Sequence, residues 1–276
     1  MVSVVSELAF DAKGVAAEFV KARRTGGSFT QYPGPLPIDL DSAYRCQDEA
    51  ISLWGDSIAG WKVGWIPEPL SQKFGAQRLV GPIFTRSILR VNGGTPVDVP
   101  VFANGFAAIE AEFVVQLAKD APANVTEWTT ETARRFVKAM YIGIEIASSP
   151  LQNINDYGPA VVASDFGNNS GLLLGAEIVD WQTRSLESLN CETRINAGVV
   201  GRGGAAAVSG GPLAALAFAL RCNARRGRPL RAGDYISTGA ATGVHSIAAG
   251  QSAEAIFTGV GSLKCVTVPM TPVPVR

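Results

Sequence analysis

From Asp11 to Arg24 the apolar residues Val15, Phe19 and Val20 recur at helical spacing, and Gly26-Gly27 ends the run, which predicts a helix. A proline-rich connector, Gln31 to Pro37, leads to a second helix beginning near Asp41, with Ala43, Gln47, Ala50, Ile51 and Trp54 on one side and Gly55 as its stop. Beyond it the period changes. Gly60-Trp61-Lys62-Val63-Gly64-Trp65 is a short apolar stretch around one lysine, and glycine and proline cut the chain to Pro100 into pieces suited to short strands and loops. The run from Ile109 to Val115 and the run from Tyr141 to Ile146 are strand-like. Between them the spacing of Ala133, Phe136, Val137 and Met140 predicts a helix from about Thr129 to Met140. Another helix is expected after Pro212, closing at Gly227. The last third offers strand candidates at Asp234 to Gly239, Ala253 to Thr258 and Leu263 to Val268.

These elements describe an α+β chain: a small helical portion over 1–58 and a β-rich part over 59–276, with no linker or repeat between them. A length of 276 residues, 47% of them apolar and 17% charged, supports a sizeable buried core. Basic and acidic residues balance at 24 each, so no global field draws the chain to nucleic acid, to an anionic membrane or to a polyanionic substrate. Cys46, Cys191, Cys222 and Cys265 have no spacing that clamps zinc or makes a redox dithiol. The N-terminal stretch carries Glu7 and Asp11 and lacks the pattern of a secretory signal, and the apolar run Leu213 to Leu220 stops at Arg221, so a soluble cytoplasmic protein is expected.

The chemistry concentrates in Ile109-Glu110-Ala111-Glu112-Phe113-Val114-Val115. Strand side chains alternate, so Glu110 and Glu112 face the same way, and burying two neighbouring anions without a partner costs several kcal/mol. A third carboxylate, Glu145, lies in the equally apolar Tyr141-Ile142-Gly143-Ile144-Glu145-Ile146-Ala147. Three carboxylates and water make a hard, all-oxygen site that suits Mg²⁺ or Mn²⁺. The alternative is a wet strand face for Glu110 and Glu112 and an arginine partner for Glu145. Lys62, between glycines, either binds a carboxylate or polarises a carbonyl, or lays its stem over tryptophan with its ammonium in water. His245 is the single histidine; it is a general base, a pocket hydrogen-bonder or a structural residue. Gly201-Arg202-Gly203-Gly204-Ala205-Ala206 fits a relaxed dinucleotide-binding pattern, but no acidic residue follows where the ribose contact belongs.

Taken in order, these segments resemble the fumarylacetoacetate hydrolase superfamily, and within it the 2-keto-4-pentenoate hydratases and 4-oxalocrotonate decarboxylases. Gly60-Trp61-Lys62-Val63-Gly64 is similar to the family's Gly-aromatic-Lys-apolar-Gly motif, Ile109-Glu110-Ala111-Glu112 to its Glu-x-Glu strand, and Gly143-Ile144-Glu145-Ile146 to the strand of the third ligand. Ala163-Ser164-Asp165 through Gly175 resembles the Ala-Asp-Asn segment and its following strand. Gly211 to Leu216, Leu230 to Asp234 and Ser237-Thr238-Gly239 resemble the C-terminal signature. The resemblance implies a mixed β-barrel or roll with flanking helices and metal ligation by Glu110, Glu112 and Glu145. It also implies catalytic roles for Lys62 and for Asp165 or His245, a small 2-oxo or 2-hydroxy-dienoic acid substrate, and a homo-oligomer. The implied reaction is hydration of a 2-hydroxy-2,4-dienoate to a 4-hydroxy-2-oxo acid, as in aromatic-compound catabolism. Decarboxylation of a 2-oxo acid, sugar-acid dehydration and an inactive binding protein are the alternatives. Two departures stand out: Phe166 replaces the amide of Ala-Asp-Asn, and Leu79-Val80-Gly81-Pro82-Ile83-Phe84 lacks the acid of the family's Pro-Asp-aromatic-Gly segment.

Overall fold

The computed structural model describes residues 10–92 and 94–272; Glu7 and the outer ends of the N-terminal and C-terminal portions lie outside the described residues. Helix α1 (Ala12–Thr25) begins where the Asp11 carboxylate accepts from the Gly14 N–H at 2.9 Å and ends at left-handed Gly26. Helix α2 (Leu40–Trp54) starts in a capping box between Asp39 and Ser42 and stops at left-handed Gly55. Both lie where apolar periodicity places them. The short helices α3 (Leu70–Phe74), α4 (Thr130–Arg134) and α5 (Pro159–Ser164) and the longer α6 (Gly211–Arg225) follow. No helix among the described residues is long and apolar enough to cross a membrane.

The strands are β1 (Ile58–Trp65), β2 (Arg78–Phe84), β3 (Ile88–Arg90), β4 (Val97–Val101), β5 (Phe106–Leu117), β6 (Val137–Ser149), β7 (Asn169–Glu177), β8 (Asn190–Ile195), β9 (Gly198–Gly204), β10 (Tyr235–Ser237), β11 (His245–Ser246), β12 (Ser252–Phe257) and β13 (Gly261–Pro269). A curled, half-barrel sheet runs in the order β2-β1-β10-β5-β6-β7-β3, with β11 also on β5; a second sheet runs β4-β13-β12-β8-β9. The glycine-rich stretch Gly201 to Gly204 is the end of β9, hairpinned to β8, and only a three-residue 3-10 turn, Ala205–Ala207, follows it directly, the α-helix starting later at Gly211.

One expectation is corrected. The helix predicted from Thr129 to Met140 ends at Arg134, and Val137 to Met140 belong to β6. The residues that suit a helical face also suit a strand, and pairing with β5 from Val137 to Ser149 decides in favour of the strand.

Side chains of β5 are buried along nearly its whole length because both faces of the sheet are covered. One face carries Ile109, Ala111, Phe113 and Val115 into the main core, together with Ile144 and Ile146 of β6. The opposite face holds a smaller apolar layer of Ile83, Val114, Leu172, Leu174 and Tyr235. The N-terminal helices are tied to this sheet by polar as well as apolar contacts. Gln47 of α2 donates to the carbonyls of Val80 and Ala163 at 3.0 and 2.7 Å, and the Val80 N–H donates to the Tyr44 hydroxyl at 3.1 Å.

Candidate metal centre

Strand register brings the chemistry together. β5 and β6 are antiparallel with Glu110 opposite Glu145 and Glu112 opposite Gly143, so alternation puts all three glutamates on one face. On the neighbouring strands Lys62 lies opposite Gly81 and Ser237, and Ser237 opposite Val114, which places Lys62 and Ser237 on that same face. One ligand oxygen from each glutamate lies within 4.8 Å of the others. The Lys62 ammonium is 3.2 Å from Glu145 Oε1 and donates to Asn168 Oδ1 at 3.2 Å.

The glutamates are not equally satisfied. Glu112 Oε2 accepts from the Ser237 hydroxyl at 2.6 Å and from the Gly239 N–H at 2.9 Å, and Glu145 Oε1 accepts from Asn169 Nδ2 at 3.0 Å. Glu112 Oε1 and Glu145 Oε2 are buried with no hydrogen-bond partner. Burial pushes Glu110 up to about 7, against the pull of Lys62 and with Glu145 adding to the rise. Burial, then the charges of Glu145 and Glu110, drives Glu112 well above the ordinary carboxylate range. For Lys62 burial works downward, but Glu145, Glu110 and Glu112 outweigh it and hold its pKa above the usual lysine value.

Three buried carboxylates against one ammonium leave a formal excess of two negative charges when all are ionised. Two orphaned oxygens and an all-carboxylate donor set fit a hard divalent cation: it would balance that charge and take up both unpartnered atoms. Glu110, Glu112 and Glu145 could hold it.

The other two residues assigned catalytic roles do not join them. Asp165, after α5, accepts from Arg23 Nε at 2.5 Å, from Arg23 Nη2 at 2.9 Å and from the Ser149 hydroxyl at 2.6 Å. Ser149 lies four residues beyond Glu145 on β6, which is roughly 13 Å along a strand. His245 sits opposite Ile109, on the face turned away from Glu110, and its Nε2 is 3.2 Å from the Thr242 hydroxyl.

Asn168 and Asn169 were missed by sequence reasoning, which looked for an amide immediately after Asp165. The backbone passes through left-handed Phe166, Gly167 and Asn168, at φ 54°, 63° and 56°. This turn brings the amides of Asn168 and Asn169 to Lys62 and Glu145. The signal was the Gly167-Asn168-Asn169 run, whose residue types tolerate such a turn. In the segment that lacks the acid, Leu79 is paired with Gly64, and its Cδ1 and the Lys62 Nζ lie 3.4 and 3.8 Å from the point that a Cβ on Gly64 would occupy. An apolar side chain therefore stands beside the lysine.

The fumarylacetoacetate (FAA) hydrolase C-terminal family model matches residues 77–268. A 4-oxalocrotonate decarboxylase from Pseudomonas sp is 28% identical over 258 residues, covering 92% of this chain and 96% of that protein. A 2-keto-4-pentenoate hydratase from Dechloromonas aromatica (strain RCB) is 27% identical over 260 residues, covering 91% of this chain and 95% of that protein. Among solved structures, 4-oxalocrotonate decarboxylase from Pseudomonas putida G7, complexed with magnesium and adipate, superposes with a TM-score of 0.77 at 21% identity, covering 93% of this chain and 97% of the other. That likeness establishes a shared fold. With the family match spanning well over half the chain, on strands that carry the carboxylate cluster, the protein belongs to the fumarylacetoacetate hydrolase family.

Proposed function

We propose that the chain is a divalent-metal-dependent hydro-lyase that adds water to a 2-hydroxy-2,4-dienoate to give a 4-hydroxy-2-oxo acid. The observation that carries this reading is the convergence of Glu110, Glu112 and Glu145 beside Lys62, with two carboxylate oxygens left unpartnered. Relatives along nine-tenths of the chain, named as 2-keto-4-pentenoate hydratases and a 4-oxalocrotonate decarboxylase, support it. A bound Mg²⁺ or Mn²⁺ supplies electrostatic stabilisation of negative charge developing on substrate oxygens.

The chain's own residues do the rest. Ser237 and Gly239 engage one oxygen of Glu112 and leave the other for the ion, while Asn169 does the same for Glu145. Lys62, kept charged by its carboxylate neighbours and steadied by Asn168, donates to the substrate's carboxylate or 2-oxygen. Asp165 and His245 are withdrawn from the catalytic set: one is held by Arg23 and Ser149, and the other faces away.

A 2-oxo acid decarboxylase is the second reading, favoured by the 28% identical relative of that name. Its dicarboxylic substrate needs another cation, and Arg23, buried at the far end of the same face, is spent on Asp165, Ser148 and Asn169. This favours a monocarboxylic substrate. Incubation with Mg²⁺ and 2-hydroxypenta-2,4-dienoate is expected to consume the dienol absorbance and yield the 4-hydroxy-2-oxo acid, with the activity lost in Glu112→Gln. Carbon dioxide release from the dicarboxylic 2-oxo acid, with the monoacid untouched, would replace this reading by the second. Folded protein inactive on both substrates with Mg²⁺ and Mn²⁺ would sink both.

A further inference from the structure

A cleft of about 440 Å³ opens between α2, α6 and the start of β2, and it shares no lining residue with the carboxylate cluster. Arg78, Arg221, Arg225 and Arg226 line it, with Asp41 the single carboxylate among the lining residues. Two of the arginines are already neutralised. Arg225 pairs with Glu127 at 2.7 Å, and Arg226 pairs with Asp48 at 2.7 Å while stacking 4.1 Å from the Tyr44 ring centroid. Arg78 and Arg221 are different: among the described residues neither has a carboxylate within ion-pairing distance.

Arg78 is the second observation. It is only 8% exposed, yet among the described residues its single side-chain hydrogen bond runs from Nη2 to the Ser209 carbonyl. Its guanidinium lies 5.0 Å from the Trp65 ring centroid. A guanidinium carries five donors in a rigid fork, so most of those of Arg78 have no protein acceptor. Burial, and then the like charge of Arg221, lowers the Arg78 pKa, so the two cations are near enough to feel repulsion. An anion between them relieves the repulsion and uses the idle donors. Tyr44, Phe74 and Phe218 add apolar wall, which accommodates a small carbon skeleton alongside the charge.

We propose that this cleft binds a small doubly charged oxyanion, a phosphoryl compound or a dicarboxylate, gripped between Arg78 and Arg221 at a site separate from the carboxylate cluster. Sulfate is a suitable first probe, titrated calorimetrically into the Mg²⁺-supplemented protein against chloride at matched ionic strength. Saturable sulfate binding is expected, weakened about tenfold or more by Arg221→Ala and by Arg78→Gln. Arg221 is partly exposed on a helix, so its variant keeps the test alive should the Arg78 variant fail to fold. Glu112→Gln is expected to bind sulfate as the wild type does. Comparing phosphate with succinate then distinguishes the phosphoryl from the dicarboxylate source. Sulfate heats equal to those of chloride, unchanged affinity in Arg221→Ala, or loss of binding in Glu112→Gln would each overturn the proposal.

Discussion

Single residues at the carboxylate cluster are held in protonation states that an unfolded chain does not share. Glu110 is raised from its ordinary 4.5 to about 7, mainly by burial, and Glu112 is also raised well above the ordinary carboxylate range. Between those values the folded, metal-free protein retains protons that the unfolded chain has released, so stability falls as pH rises. The contribution is fully present below about 4.5 and is lost as pH passes through about 7. A divalent ion reverses the sign, because it binds the deprotonated carboxylates and stabilises the fold most where they are ionised. Chelator-treated protein is therefore expected to lose melting temperature from pH 5 to pH 8, and saturating Mn²⁺ to cancel most of that loss. A flat profile without metal, or the same slope with it, would contradict this account.

At the scale of elements, the contact between β2 and the left-handed turn after α5 decides whether the amides reach the cluster. Gly81 lies directly beneath the Phe166 carbonyl, and a Cβ there would overlap that oxygen. Lys62 runs through the same space, its Cδ against Gly167. Gly81→Ala forces the turn outward and takes Asn168 and Asn169 with it. The expected cost is about 1–3 kcal/mol of overpacking strain, read from urea unfolding, together with weaker Mn²⁺ binding in a thermal-shift titration. Unchanged stability and unchanged metal response would show that the turn is not seated as described. Phe166 itself needs no functional account: its ring packs between Trp54 and Phe84 at centroid distances of 5.8 and 5.0 Å, and Arg23 lies 5.1 Å above it.

For the molecule as a whole, a buried ion pair adds to the contacts that join the N-terminal helices to the rest of the fold. Arg23 of α1 reaches Asp165, and the same guanidinium donates to the carbonyls of Ser148 and Asn169, each at 3.1 Å. Asn169 in turn holds Glu145, so a chain of contacts links α1 to the cluster. Removing one partner strands a buried charge, which costs more than the intact pair contributes. Arg23→Leu is expected to destabilise by about 3–5 kcal/mol, and adding Asp165→Leu to recover part of that loss, both measured by urea unfolding. Additive losses in the double variant would mean that the pair is not coupled.

Local chemistry along the chain was enough for a large part of this. Asp11, Asp39, Gly26 and Gly55 bound the first two helices because capping depends on neighbours a few residues away. Alternation alone put Glu110 and Glu112 on one side of their strand, and the order of motifs pointed to Glu145 and Lys62 as their companions. Tertiary structure decided the rest. Val137 to Met140 became strand because β5 was there to pair with them, a choice that helical spacing within the segment does not contain. Asp165 and Lys62 both looked like catalytic residues, and only the folded chain assigns Asp165 to an arginine 142 positions away while an asparagine takes its place beside the lysine. Which buried charges meet is set by strand register and by turns between distant segments, and those free energies belong to pairings that no short stretch of sequence holds.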